Sequence, residues 1–242
     1  MRKQIPFILI LVFISFFVLY LKLPALESDI FSTFLSVSTF LFAIFTGFFI
    51  SRQGRRYNAM RDAIANFDGE TSSLFRIADL LPKKKMNEIK TIVKEEYKAM
   101  KNETHWEYSF LKKTTFMTDI TKIIASMHKH DLDQVSITAI RRVASSINKM
   151  QLIRKRIIVL GKERIPRVQW ALIISLALII IVLIASVNYH LIIFTTLLKT
   201  LFSTIVVLVL LMLYQFDQLV FYEDEIGLTT AKDVLEIINE KK

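Results

Sequence analysis

The residue types that usually perform catalysis or bind metals are sparse in this chain and form no recognisable active site. Cysteine is absent from all 242 residues, which excludes disulfides, thiolate metal sites and a cysteine nucleophile. We find no nucleophile paired with a base, no glycine-rich phosphate loop and no paired catalytic acids. The sequence therefore predicts a protein that is not an enzyme and that has no cofactor.

Two short clusters have the composition of metal ligands. His128 and His130 are separated by one residue, so on a helix their side chains point apart, and no third ligand is nearby. The acidic run 223–225 follows the last apolar segment and has the chemistry to bind calcium. Three acids at a helix boundary are more often a solvated face, so we predict no metal site at either cluster.

The segment 30–50 combines small hydroxyl residues with seven phenylalanines and carries no charge. At 100° per residue, Phe40, Ile44 and Phe48 form a ridge at four-residue steps. A face of small residues adjoins this ridge, made of Ser32, Ser36, Thr39, Ala43 and Thr46. Periodicity alone favours helix packing through Ser36, Thr39 and Gly47, because small residues let membrane helices approach closely. The alternative is a pore in which the ridge forms stacked apolar rings that gate by dewetting.

Four long uncharged runs determine the predicted architecture. They cover 5–21, 30–50, a run from 168 that ends at a polar trio at 188–190, and a last run from about 191 or 200 to 216. Twenty-one residues at about 1.5 Å each match the thickness of a bilayer. The first run exceeds a signal-peptide core and has no cleavage site after it, so we interpret it as a span. We predict an all-α, polytopic membrane protein with four transmembrane helices in two pairs.

Basic residues collect on one side of these spans. Arg2 and Lys3, a group at 52–61 and another at 162–167 lie on that side, whereas the other side has Lys22 and Lys199. The positive-inside rule therefore places both termini and the long central region in the cytoplasm. Membrane topology and contact with anionic lipid also account for the net charge of +10, so we predict a bilayer partner and no nucleic acid.

The central region is predicted to be helical and continuous with the second span. The second span should continue to Pro82, followed by helices at 83–101 and 105–129. Asp131 or Asp133 is a good N-cap for a further helix with an apolar stripe from Ile140 to Leu160. The predicted segments are transmembrane helices 1 and 2 at 1–50, an inserted cytoplasmic region at 51–167, transmembrane helices 3 and 4 at 168–216 and a cytoplasmic helix at 217–242.

Three stretches resemble the bestrophin superfamily, particularly its bacterial bestrophin-like branch. The stretch 43–48 reads AIFTGF and precedes Arg56-Tyr57 and Arg61, similar to the second helix of bestrophins. The stretch 163–166 reads ERIP, with Trp170 after it, like the entry to the third span of the family. The stretch 215–227 is similar to the acidic, glycine-containing segment after the fourth span.

The resemblance implies a pentameric ion channel of the bacterial inner membrane, with second helices around a narrow apolar neck. By position, the neck of the family corresponds to Phe40, Ile44 and Phe48 in this sequence. These residues are the same ridge that helical geometry identifies. This agreement favours the pore over packing, with inorganic ions as the transported species. Arg52, Arg55 and Arg56 would set a positive potential at the cytoplasmic mouth. The rival hypothesis is a non-conducting, oligomeric scaffold or sensor whose cytoplasmic helices bind a partner.

Overall fold

A computed structural model describes residues 5–22, 29–102, 110, 115–127, 133–186, 192–219 and 234–237. Within these ranges the chain is helical and has no strand, which confirms the all-α prediction. The described ranges contain seven helices of ten or more residues: α1 Ile5–Lys22, α2 Asp29–Ile77, α3 Lys83–Asn102, α4 Phe116–Ala125, α5 Gln134–Lys162, α6 Arg167–Ser186 and α7 Ile192–Gln218. A 3₁₀ turn at Ala78–Leu80 follows α2, and residues 234–237 are also helical.

Three helical stretches are long and apolar enough to cross a membrane, judged by length and composition over the described residues. They are Ser32–Leu80, Gln134–Ser186 and Ile192–Gln218. The first helix, α1, is apolar but shorter, and as a full span it stays a prediction. The last span begins by Ile192, near the earlier of its two predicted starts, and the polar trio at 188–190 lies outside the described residues.

Local signals account for most helix boundaries. The second helix runs without interruption for 49 residues, as predicted, and ends with the 3₁₀ turn before Pro82. Asp133 is the N-cap of α5, since its carboxylate accepts a hydrogen bond from the Ser136 backbone N–H at 3.0 Å. The helix predicted at 105–129 is shorter than expected: α4 begins at Phe116 and ends at Ala125, while 103–109, 111–114 and 128–132 lie outside the described residues.

The chain divides into two compact units. The first comprises Met1–Arg55 and Arg164–Phe221, and α1, the first part of α2, α6 and α7 belong to it. Its core contains Phe42 and Phe49 of α2, Ile173 and Ile180 of α6, and Leu213 of α7. The Tyr20 hydroxyl of α1 and the Ser203 hydroxyl of α7 share a buried hydrogen bond of 2.6 Å, so a polar contact joins α1 to α7 within this unit.

The second unit comprises Arg56–Glu163 and Tyr222–Lys242. The apolar stripe predicted for α5 faces its core: Val143, Ile147, Met150 and Ile157 are buried, while Ile140 and Leu160 are half-buried. One buried polar pair lies in this core, because the fully buried Tyr97 of α3 donates to the Asp68 carboxylate of α2 at 2.5 Å. Burial, followed by the nearby Asp68 charge, raises the pKa of Tyr97 well above its ordinary value.

Candidate pore helix and its supports

The part of α2 in the first unit has one face that packs against the helices of its own chain. Phe42, Thr46 and Phe49 lie on this face and are at most 6% exposed. The two phenylalanines join the core formed with α6 and α7. The Thr46 hydroxyl donates to the Phe42 carbonyl at 2.6 Å, which satisfies a hydroxyl that would otherwise be costly to bury. This face holds α2 in a defined rotation within its unit.

The predicted neck residues lie on the opposite face of α2. Phe40, Ile44 and Phe48 are 65%, 50% and 56% exposed. At 100° per residue, the centre of this ridge is roughly 170° from the centre of the buried face. Within the chain, the ridge therefore has no cover from α6 or α7. It is an apolar surface open to a pore, to lipid or to another copy of the chain.

The predicted packing residues are also exposed within the chain. Ser36 and Thr39 are exposed, and the Ser36 hydroxyl donates to the Ser32 carbonyl at 3.0 Å. A methyl group added at Gly47 would meet nothing within 4 Å. Close packing through these residues thus has no partner in the described chain, and the packing role stays a prediction about other copies. The helical wheel grouped Thr46 with these residues, but packing separates it, since Thr46 belongs to the buried face.

The three arginines predicted at the mouth have different environments. Arg55 is exposed and Arg52 is half-buried. Arg56 is only 5% exposed. Its Nε donates to the Leu160 carbonyl at 2.6 Å, and its Nη2 donates to the Gly161 carbonyl at 2.9 Å. Arg56 therefore stabilises the C-terminal end of α5, where carbonyls lack helical partners and a cation is favourable. The guanidinium charge of Arg56 therefore contacts main-chain carbonyls and not solvent.

A buried carboxylate that sequence reasoning did not single out connects the elements around α2. Asp217, near the end of α7, is 3% exposed. Its carboxylate accepts from the Ile165 backbone N–H at 2.7 Å, from Gln53 Nε2 at 3.4 Å and from Trp170 Nε1 at 3.4 Å. Gln53 of α2 is itself 1% exposed. Asp217 thus links the predicted pore helix to the entry of α6 and the end of α7.

The end of α7 has an unusual backbone conformation directly after this carboxylate. Leu219 has φ of 57°, in the left-handed region that favours glycine. Its side chain is 2% exposed, and its N–H donates to the Phe216 carbonyl at 3.2 Å. Burial of the leucine side chain offsets the backbone cost of this conformation, which is on the order of 1 kcal/mol. The chain therefore turns sharply at Leu219, two residues past Asp217, which binds Gln53 and Ile165.

Metal binding has no candidate among the residues that the structure describes. No group of three His, Cys, Asp or Glu side chains is placed to hold an ion there. The two clusters considered from the sequence, at 128–130 and 223–225, lie outside the described ranges. Their predicted lack of a metal role stays a prediction.

The fold and this arrangement define a class before any comparison: an all-helical membrane protein with a long, partly exposed apolar helix that continues into a charged helical unit. A family model for the bestrophin-like domain matches residues 7–219. The match covers most of the chain, which therefore belongs to the bestrophin-like family, and this confirms the resemblance seen in the sequence. At the level of this family the protein is of a channel type. No curated protein and no solved structure matches the chain.

Proposed function

We propose that this protein is an ion channel of a bacterial inner membrane, formed by a homo-oligomer, with five copies expected, around an axis lined by α2. The observation that carries the proposal is the exposed ridge of Phe40, Ile44 and Phe48, opposite the face that packs into the chain's own core. Membership of the bestrophin-like family supports it independently. In this proposal the central helices lie in the cytoplasm, together with both termini.

The ridge would act as a hydrophobic neck. Rings of phenylalanine and isoleucine around a narrow axis disfavour continuous water, so ions cross only when the neck is wide enough to hydrate. Arg52 and Arg55 follow the ridge on the same helix, and we propose that they set a positive potential at the cytoplasmic mouth. Arg56 is hydrogen-bonded to α5, so we assign it a supporting role at the mouth and not a direct contact with ions.

The test is replacement of the neck by alanine in the triple variant F40A/I44A/F48A. Smaller rings lower the dewetting barrier, so conductance of the purified protein in liposomes should rise under a potassium chloride gradient. A matched control is F194A/F202A/I205A, which removes two phenylalanines and one isoleucine of similar exposure from α7. The control should conduct like the unmodified chain.

Two results would overturn the pore assignment. The first is equal conductance, or none, in the unmodified chain and the neck variant. The second is an equal increase in both triple variants, because that would reflect a leaky bilayer. The scaffold hypothesis gains support if the unmodified chain is monomeric or dimeric in detergent and conducts no ions, whereas five-fold symmetry in particle images supports the channel.

A further inference from the structure

One face of the C-terminal half of α5 is exposed, basic and apolar at the same time. Lys155, Arg156 and Lys162 are exposed there, together with Leu152 and Val159, which are 66% and 65% exposed. On a helix these five residues occupy about a third of the circumference. They lie opposite the buried stripe of α5. We call this surface the α5 basic face.

The charges of the α5 basic face are not neutralised within the described part of the chain. Lys155, Arg156 and Lys162 have no acidic partner among the described residues. The helix as a whole contains seven basic residues and no acidic residue. Lys149, about two turns before Arg156 and near the same side of the helix, pairs with Glu70 at 3.0 Å, but this acid pairs with none of the three cations of the basic face. The basic face therefore presents an uncompensated positive surface.

The rotation of α5 within its unit is well determined. Its apolar stripe is buried, its first turn is capped by Asp133, and its last carbonyls bind the buried Arg56. These contacts leave the basic face outward. The presence of two large apolar side chains among the cations is a pattern typical of helices that lie at a lipid interface, where cations bind headgroups and apolar side chains enter the acyl boundary.

Chain connectivity keeps the C-terminal end of the α5 basic face near the first residue of α6. Lys162 precedes Arg167, the first residue of the apolar helix α6, by five positions. Five residues extend at most about 17 Å. This distance is comparable to the thickness of the headgroup layer plus one Debye length at physiological salt. Basic clusters this near to a span meet the surface potential of anionic lipids.

We propose that the α5 basic face binds the anionic lipid headgroups of the membrane in which the protein resides. The interaction would anchor α5 at the bilayer surface. Each basic residue near an anionic surface strengthens binding about five-fold, so the three together contribute on the order of 100-fold. The proposal goes beyond conduction and needs only the membrane placement of α6, so it holds whether or not the protein conducts ions.

The natural absence of cysteine allows a single probe at Val159→Cys in the full-length protein. An environment-sensitive fluorophore on this residue is compared in nanodiscs of phosphatidylcholine alone and of phosphatidylcholine with phosphatidylglycerol. Val135→Cys is the matched control, because Val135 is 54% exposed on the same helix and about 36 Å away along its axis. The Val159 probe should shift to the blue and be quenched by headgroup-labelled lipid only with phosphatidylglycerol, and the Val135 probe should not respond.

Charge removal then tests the mechanism. The variant K155Q/R156Q/K162Q should abolish the lipid-dependent shift, whereas R141Q/R142Q, about 20 Å earlier on α5, should retain it. High salt should reverse the fluorescence shift in the protein that retains all three cations, because the Debye length falls to about 3 Å at about 1 M salt. If the triple variant does not elute as a folded protein, this salt titration still decides the question.

Three results would overturn the proposal. An equal shift of the Val159 probe in both lipids would indicate a protein contact, such as a second copy. No shift in either lipid would indicate a solvated face. An equal response at Val135 would indicate nonspecific adsorption of the fluorophore. None of these readouts depends on conductance, so failure here is distinguishable from failure of the channel proposal.

Discussion

At the residue scale, Arg55 and Arg56 show how neighbours on one helix acquire different roles. Arg55 is exposed, whereas Arg56 is buried and donates to two main-chain carbonyls of α5. A buried guanidinium without these acceptors would be strongly unfavourable, and the carbonyls would lose their partners as well. The charge of Arg56 therefore stabilises the second unit, while the charge of Arg55 is available to solvent and ions.

We expect Arg56→Gln to lower the free energy of unfolding by about 2–3 kcal/mol, because it removes charge-assisted hydrogen bonds to Leu160 and Gly161. The matched variant Arg55→Gln should change it by less than about 0.5 kcal/mol, as is usual for exposed positions. Denaturant titration of the reconstituted protein measures both. Equal losses in the two variants would contradict the structural role of Arg56.

The buried carboxylate of Asp217 leads to a second prediction at this scale. Asp217→Asn weakens the acceptor for the Ile165 N–H and Gln53, so we expect a loss of about 1–3 kcal/mol. The exposed Asp62, on the same α2 that contains Gln53, provides the control D62N, which should have little effect. Thermal unfolding measures the difference, and a D217N protein as stable as D62N would show that the contacts around Asp217 contribute little.

At the element scale, α5 is stabilised at both ends by different chemistry. Asp133 accepts from the Ser136 N–H at its N-terminus, and Arg56 donates to carbonyls at its C-terminus. Both arrangements oppose the helix dipole, which favours an anion at the first turn and a cation at the last. The buried stripe and the exposed basic face then give the helix two distinct surfaces.

The N-cap makes the stability of α5 depend on pH. Hydrogen bonds from Ser136 lower the pKa of Asp133 below its ordinary value of 3.8. A lowered folded-state pKa gives stability that is present above the unfolded value and is lost as pH falls through the folded value. We therefore expect the unmodified chain to melt at a higher temperature than Asp133→Ala near neutral pH. This difference in melting temperature should decrease as the pH falls below 3.8.

Asp133→Asn is the control for this titration. Asparagine is a good N-cap and has no ionisable group in this range. Its melting-temperature gap from Asp133→Ala should therefore stay constant as pH falls. A gap for the unmodified chain that is equally constant would contradict an ionised Asp133 cap.

At the scale of the whole molecule, the exposed face of α2 has no partner among the described residues of its own chain, and it is the surface that we propose faces other copies. Two faces of this helix differ sharply in burial, and only one contacts its own unit. Gly47 lies on the exposed side, where an added methyl group meets nothing within 4 Å. Substitution there should therefore affect assembly more than the folding of one chain.

We expect Gly47→Leu to shift the protein from oligomer to smaller species, because a leucine prevents close approach between small residues of neighbouring helices. Native mass spectrometry in detergent measures the distribution. Gly69→Leu is the control, since Gly69 is also in α2 and an added methyl group there also meets nothing within 4 Å. An unchanged oligomer in Gly47→Leu would place this residue away from the interface between copies.

Features that depend on neighbouring residues along the chain were predictable from the sequence. The length and apolarity of the runs indicate the spans, Pro82 limits the long second helix, and Asp133 begins α5. These properties arise from local chemistry: hydrocarbon thickness, a missing backbone N–H and an accepting carboxylate. The order of three short stretches was also sufficient to indicate the bestrophin-like family.

Only the tertiary structure decided which side of each helix faces a partner. A helical wheel gives the angles between Thr46, Phe40 and Phe48, but burial depends on where α6 and α7 lie. The same reason explains the burial of Arg56 and Asp217, because their hydrogen-bond partners are at least 47 residues away in sequence. Sequence thus determined the elements and the membrane character, and packing determined that Arg56 is buried, that Asp217 joins three helical elements, and that the ridge of α2 faces outward.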